Sequence, residues 1–226
     1  MHLIRKVLGL HPGCVRIEAT LSDRERMVQV AAAAQVVRLH VGCGPRILKG
    51  WINIDLAFEP FERYLRYYGD AFYSKEVRGE RSEFFVLDVA REGLPLDDNS
   101  VDVVFHEDFL EHLDQRSQMF FLAETLRVLK PAGIHRVNTP DLKQSMLQHS
   151  TFSHGAAGVY VGEWDKHGHK NVLTEKILLE MAMMVGYRKV NFTGRDGSES
   201  SLLPNEYRPD PHDREEDGNI FADLIK

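Results

Sequence analysis

A chain of 226 residues with 43% hydrophobic and 27% charged side chains has the balance of an ordinary globular domain and enough length for one substantial core. Its formal net charge of −6 argues against broad, sequence-independent binding to nucleic acid or to an anionic membrane, and leaves room only for a local basic patch. Two cysteines, Cys14 and Cys43, are too few to staple a domain of this size and read as reduced thiols of a cytoplasmic protein, and no apolar run reaches membrane-spanning length.

The basic "IRK" near the start is followed only by "VLGL" before His11 and Pro12, which is too short for a signal peptide. "HPG" is a turn, and "CVRIEAT" has the composition of a short strand. "SDRERMVQVAAAAQ" is a helix with Ser22 or Asp23 as its N-cap. Residues 1–36 are therefore expected as an N-terminal extension packed on a domain that runs from 37 to 226. The first strand of that domain spans about Val37 to Val41, and a second, "WINI", ends at Asp55. Phe61, Tyr64, Leu65 and Tyr68 stand at helical spacing, as packing residues of a helix within 59–77. "EFFVL" is a third strand closed by Asp88, and "VDVVF" a fourth after the turn "GLPLDDNS".

"QRSQMFFLAETLRVLKPAG" is a helix with Met119, Leu122, Leu126 and Leu129 on one stripe, and with Pro131 and Gly133 as its expected stop. "IHRVN" is a fifth strand, residues 142–171 look irregular, and Thr174 caps a helix over "EKILLEMAMMV" that Gly186 ends. "YRKVNFT" and "IFADLIK" are two last strands. Strands and helices alternate for most of the chain, so the expected fold is α/β: a doubly wound, Rossmann-like, mostly parallel sheet. The last two strands have no helix between them and are expected to pair antiparallel.

In such a sheet the ligand binds beyond the carboxyl ends of the strands. Here the first strand ends at Gly42-Cys43-Gly44, the second at Asp55 and the third at Asp88. If these strands are neighbours, one glycine turn and two carboxylates face one crevice. One carboxylate can accept both hydroxyls of a ribose, the other an adenine amino group, while glycines let the backbone approach the middle of the ligand. The ligand this suits is an adenosine-containing cofactor. A dinucleotide fingerprint needs a third glycine, whereas Gly44 is followed by Pro45, Arg46 and Ile47. The acid also comes eleven residues after Gly44, against roughly 20 in the dinucleotide pattern. A cofactor without phosphates, such as S-adenosyl-L-methionine, is the alternative.

Five blocks resemble class I S-adenosylmethionine-dependent methyltransferases of the type 11 kind: "LHVGCGPRILKGWINID", "LDVAREGLPLDDNSVDVVF", "HEDFLEHL", "AETLRVLKPAGIHRVNTPDL" and "ILLEMAMMVGYRKV". The start is similar to that of a group of small bacterial proteins with an LxxGCGPxxLxGWxNxD pattern. The resemblance implies that Val41, Gly42, Cys43 and Gly44 lie beneath the methionine part of the donor, that Asp55 with Leu56 holds the ribose, that Asp88 and Val89 contact the adenine, and that His106 and Glu107 border the sulfonium. "KPAG" departs from the usual "KPGG", and residues 142–163 have no counterpart. The implied reaction is methyl transfer to a small-molecule or saccharide-like acceptor, with oxygen favoured because several histidines lie near the inferred site. A noncatalytic binding partner of the same fold and a nucleotide-dependent oxidoreductase are the rival readings.

An oxygen acceptor benefits from a base. The candidates are His112 and His106 in "HEDFLEHL", and His167 or His169 in "WDKHGHKN". The spacing of Asp108, Glu111 and His112 also suggests a divalent-metal set if 108–112 form one helical turn, with His167 or His169 closing it. Base, packing residue and metal ligand remain open for His112 on sequence alone.

Overall fold

The computed structural model describes residues 21–66, 73–149, 160–204 and 218–226. The expected turn and strand within residues 1–20, and Tyr68, lie outside these. Helix α1 spans Leu21–Ala33. Asp23 falls inside its first turn, not at a cap, where a carboxylate faces the positive end of the helix dipole. Arg26 ties α1 to the sheet by donating to the carbonyls of Ser82 at 2.6 Å and Phe84 at 2.7 Å, and Met27 is buried in the main core.

Seven strands form one sheet: β1 Arg38–Val41, β2 Ile52–Asp55, β3 Phe84–Val86, β4 Val101–Glu107, β5 Leu129–Pro140, β6 Lys189–Phe192 and β7 Asn219–Ile225. Their spatial order is β3-β2-β1-β4-β5-β7-β6. The first five run parallel, and β7 is antiparallel to both β5 and β6. This is the expected α/β architecture, and the two late strands pair as anticipated. The order reverses at β1, with β2 on one side and β4 on the other, which opens a crevice at the carboxyl ends of these strands.

Among the described residues, four further helices flank the sheet: α3 Val89–Glu92, α4 Gln115–Val128, α5 Leu142–His149 and α6 Glu175–Val185, in addition to the single turn α2 at Phe61–Tyr64. One face of the sheet builds a core with α1, α4 and α6 around Leu39, Ile54, Val104, Phe121 and Leu178. The other face packs Trp51, Tyr64, Tyr73, Val103 and Phe105, with the Tyr64 and Tyr73 rings 4.9 Å apart. Thr174 caps α6 by accepting from the Ile177 N–H at 3.3 Å, and Gly186 ends it at φ +119°.

Three expectations fail. The long helix ends at Val128, not at Pro131 and Gly133, because Leu129 turns to ψ 139° and already pairs with Val101. "KPAG" thus sits inside β5, in a bend where Ala132 has φ +65° and the register to β4 slips between Val101 and Val103. The segment after Asp141 is regular in two of its described parts: Asp141 accepts from the Lys143 N–H at 2.9 Å and starts α5, and residues Tyr160–Lys166 form a π-helical turn. The aromatic run is helical only over Phe61–Tyr64 among the described residues.

Candidate functional site

The chain leaves β1 through two left-handed residues, Gly42 at φ +64° and Gly44 at φ +49°. Their reasons differ. A Cβ on Gly42 would lie 2.5 Å from Cδ2 of Phe109, so that glycine accommodates a neighbouring ring. A Cβ on Gly44 would meet nothing within 4 Å, so that position faces open space, the kind of cradle a ligand fills. Between them Cys43 is a buried free thiol held well above its ordinary pKa by burial, which suits packing and not nucleophilic chemistry.

Asp55 closes β2 beside this turn. Its Oδ2 accepts from the Gly44 N–H at 2.8 Å and its Oδ1 from the Leu56 N–H at 2.6 Å. Both oxygens are thereby aimed and still have a lone pair each for a ligand. Burial pushes this carboxyl up to about 6, against the lowering effect of the two N–H groups. Asp88 follows β3 and precedes α3 in the N-cap position, but its side chain makes no capping bond. Its nearest charged partner is the exposed Arg91, 3.7 Å away. Val41 and Val89 are buried beneath these acids, and Leu56 is partly exposed beside Asp55. The β1–β2–β3 adjacency therefore brings the glycine turn and both carboxylates to one edge of the sheet.

His106 and Glu107 at the end of β4 point to opposite faces. The His106 ring is fully buried among Phe109, Phe121 and His135, with centroids 5.1 to 5.7 Å apart, and neither of its nitrogens has a hydrogen-bond partner among the described residues. Burial lowers its pKa to about 3. His106 is therefore corrected as a candidate base: it is a neutral core imidazole. Glu107 is held in an ion pair. It is locked by Arg46, whose Nη1 lies 2.6 Å from its Oε2 with both side chains about 5% exposed or less. Arg46 was not singled out from sequence, because nothing in "GCGPRILKG" announces that its guanidinium turns inward.

The remaining histidines gather elsewhere. Leu110–His112 form a 3₁₀ turn and Asp108 sits at φ +46°, so 108–112 is not one α-helical turn. Asp108 is not part of the metal-capable group. Glu111, His112 and His169 are: one ligand atom from each lies within 4.8 Å of the others. Glu111 is fully buried and accepts from Thr139 Oγ1 at 2.9 Å. His169 Nδ1 donates to Glu163 Oε2 at 2.8 Å, while its Nε2 lies 3.9 Å from Glu111 Oε1. The Glu163 carboxylate also accepts from Ser145 Oγ. His112 is exposed with its ring edge on His169, centroids 4.9 Å apart. Desolvation, then the neighbouring His169, lower its pKa to about 4. His167 is exposed and stacks on His169 at 5.4 Å. Glu163 is not recognisable from sequence, since its role depends on a π-helical turn that has no compositional signature.

A separate cavity of about 880 Å³ opens at the carboxyl ends of β5 and β6, lined among others by Asp141, Lys143, Thr174, Lys176, Thr193 and Phe221. None of the residues around Asp55 lines it. Among the described residues no helix is long and apolar enough to cross a membrane.

Residues 39–137 match the family model described as a methyltransferase domain. A probable S-adenosylmethionine-dependent methyltransferase from Mycolicibacterium smegmatis is 48% identical over 48 residues, which cover 21% of this chain and 18% of that protein's length. A SAM-dependent methyltransferase from Archaeoglobus fulgidus shares the fold over 100% of this chain and 99% of its own, at 14% identity and a TM-score of 0.51. A possible histamine N-methyltransferase from Thermotoga maritima aligns over 90% of this chain and 88% of its own, at 18% identity and a TM-score of 0.48.

Proposed function

We propose that this chain transfers the methyl group of S-adenosyl-L-methionine to a small-molecule or saccharide-like acceptor, at oxygen; the match of residues 39–137 to a methyltransferase domain model and the doubly wound sheet support the reading. The observation that carries the reading is the pairing of Gly44 with Asp55: a left-handed glycine facing open space, its N–H fixing a carboxylate at the end of the neighbouring strand. The donor supplies an activated methyl group when bound; the chain binds, orients and excludes water. Asp55 accepts the ribose hydroxyls, Asp88 and Val89 receive the adenine, and the backbone of Val41, Gly42, Cys43 and Gly44 supports the methionine part. Loss of the acceptor proton falls to an exposed imidazole, His112 or His167. The cavity beside β5 offers lysine, threonine and carboxylate groups of the kind that hold a hydroxyl-rich acceptor. A cytoplasmic location accords with this chemistry, and we read residues 1–36 as an extension docked on the domain through Arg26 and Met27.

The test has two arms. Calorimetry should detect S-adenosylmethionine binding to the wild-type chain and lose it on Asp55→Ala. Isotopically labelled donor offered with a panel of hydroxyl and amine acceptors should then label the hydroxyl compounds. Absence of donor binding would remove the whole reading; labelling of amines alone would remove the oxygen assignment.

A further inference from the structure

The Glu111, His112 and His169 group shares no residue with the Gly44–Asp55 pair and has the makings of a site of its own. Three features set it apart from a fortuitous cluster. Two different stretches of chain supply it, the turn after β4 and the segment after the π-helical turn, and they are joined by backbone bonds: Lys170 and Asn171 donate their N–H groups to the Glu111 carbonyl at 2.8 and 3.2 Å. The inner imidazole is oriented. With Nδ1–H committed to Glu163, His169 presents the Nε2 lone pair toward Glu111 and His112, the carboxylate–histidine pairing that fixes a tautomer for metal ligation. The carboxylates are fixed as well. Glu111 and Glu163 are both fully buried carboxylates, both pair with the single His169 ring, and each is held in place by a hydroxyl, from Thr139 and Ser145.

We propose that Glu111, His112 and His169 bind a divalent transition-metal ion, with Glu163 as a positioning residue acting through His169. Two imidazoles and one carboxylate favour zinc, cobalt, manganese or iron over magnesium. Bonds of about 2.0–2.1 Å imply ligand atoms closer together than the present 4.8 Å limit. The exposed His112 can close that gap by a change of rotamer, since Glu111 and His169 are the buried, fixed partners. Its exposed flank leaves coordination positions open to an oxygen ligand from outside. Occupancy would withdraw His112 from the free bases and leave proton removal to His167. The ion binding does not depend on the donor reading, since no residue of the Gly44–Asp55 pair takes part.

Cobalt(II) chloride titrated into the tag-free, full-length chain is the probe, read by visible d–d absorption and by calorimetry. One equivalent should bind and give the intensified spectrum of a site with nitrogen ligands. His112→Ala, a surface change that leaves the fold intact by circular dichroism, should weaken binding at least tenfold. His169→Ala should abolish the spectrum, and Glu163→Gln should weaken binding roughly 10–100-fold without changing the spectrum's shape. Asp108→Ala and His167→Ala should bind like the wild type. A wild-type spectrum that stays that of the aqueous ion, or binding indifferent to His112→Ala, would overturn the site and leave the cluster a structural hydrogen-bond network. Neither outcome bears on S-adenosylmethionine binding, which is measured separately.

Discussion

The Gly44 N–H donates to Asp55 Oδ2 at 2.8 Å, so the turn after one strand sets the rotamer of the acid that ends the next. Neither residue is positioned alone. Removing the carboxylate frees the turn, and deforming the turn releases the carboxylate.

Asp55→Asn should weaken S-adenosylmethionine binding by roughly tenfold or more, the cost of losing a hydrogen bond to a charged partner of about 1.5–3 kcal/mol. The pH dependence distinguishes this from general damage. With its carboxyl pushed up to about 6, wild-type affinity should rise between pH 5 and 7 as Asp55 ionises, and calorimetry should give a flat profile for Asp55→Asn. Stability has the opposite sign: a raised acid contributes fully below its unfolded value of 3.8, and the contribution is lost as pH rises through about 6.

The two glycines should fail differently. Gly42→Ala forces a Cβ to 2.5 Å from the Phe109 ring and should lower stability by about 1–3 kcal/mol in denaturant titration. The Cβ of Gly44→Val has no atom within 4 Å, so its main cost is the left-handed backbone, about 1–2 kcal/mol. That variant should fold and lose donor binding; full binding would show that the turn makes no close approach to the ligand.

His106 governs part of the acid limit. A buried neutral imidazole with pKa about 3 must take up a proton on unfolding, so its contribution is present above the unfolded value of 6.5 and declines as pH falls toward 3. The nearby His135, also lowered by burial, adds to the same slope. His106→Phe keeps the aromatic packing and should flatten the fall in melting temperature below pH 6. An unchanged acid profile would mean that the ring is not buried as described.

Glu107→Gln should cost more than any surface charge change. It leaves the Arg46 guanidinium buried without its 2.6 Å counter-charge, a loss of roughly 3–5 kcal/mol. Replacing both partners, Arg46→Met with Glu107→Leu, should recover most of that in chemical denaturation. A double mutant as unstable as the single one would indicate that the pair holds the loop by shape and not by charge.

What was legible in the sequence was what depends on local pattern. Short apolar runs gave the strands, Thr174 and Gly186 bracketed α6, and the acids closing β2 and following β3 fell where the strand order puts them together. What was not legible depends on long-range burial. His106 and Glu107 are adjacent in "FHEDF", yet one faces an aromatic core and the other an arginine that comes 61 residues earlier. Pro131 and Gly133 carry a helix-stop signal that pairing with β4 pre-empts by drawing Leu129 into a strand. The late histidines were visible as candidates, but Glu163, the partner of His169, was hidden in a π-helical turn without a compositional signature.

The antiparallel strand has a bearing on how the molecule comes into being. β7 is made after β6 but is inserted between β6 and β5, and among the described strands β6 pairs with β7 alone. A growing chain that has passed Phe192 but not reached Asn219 thus has five strands assembled in order and a sixth with no ladder to join. Until β7 arrives, the bonding edge of β5 stays open at Ile134–Pro140. The hazard of that interval is one of timing during translation: the unfinished sheet offers its edge to whatever strand comes first, and the correct one is the last of the seven to emerge.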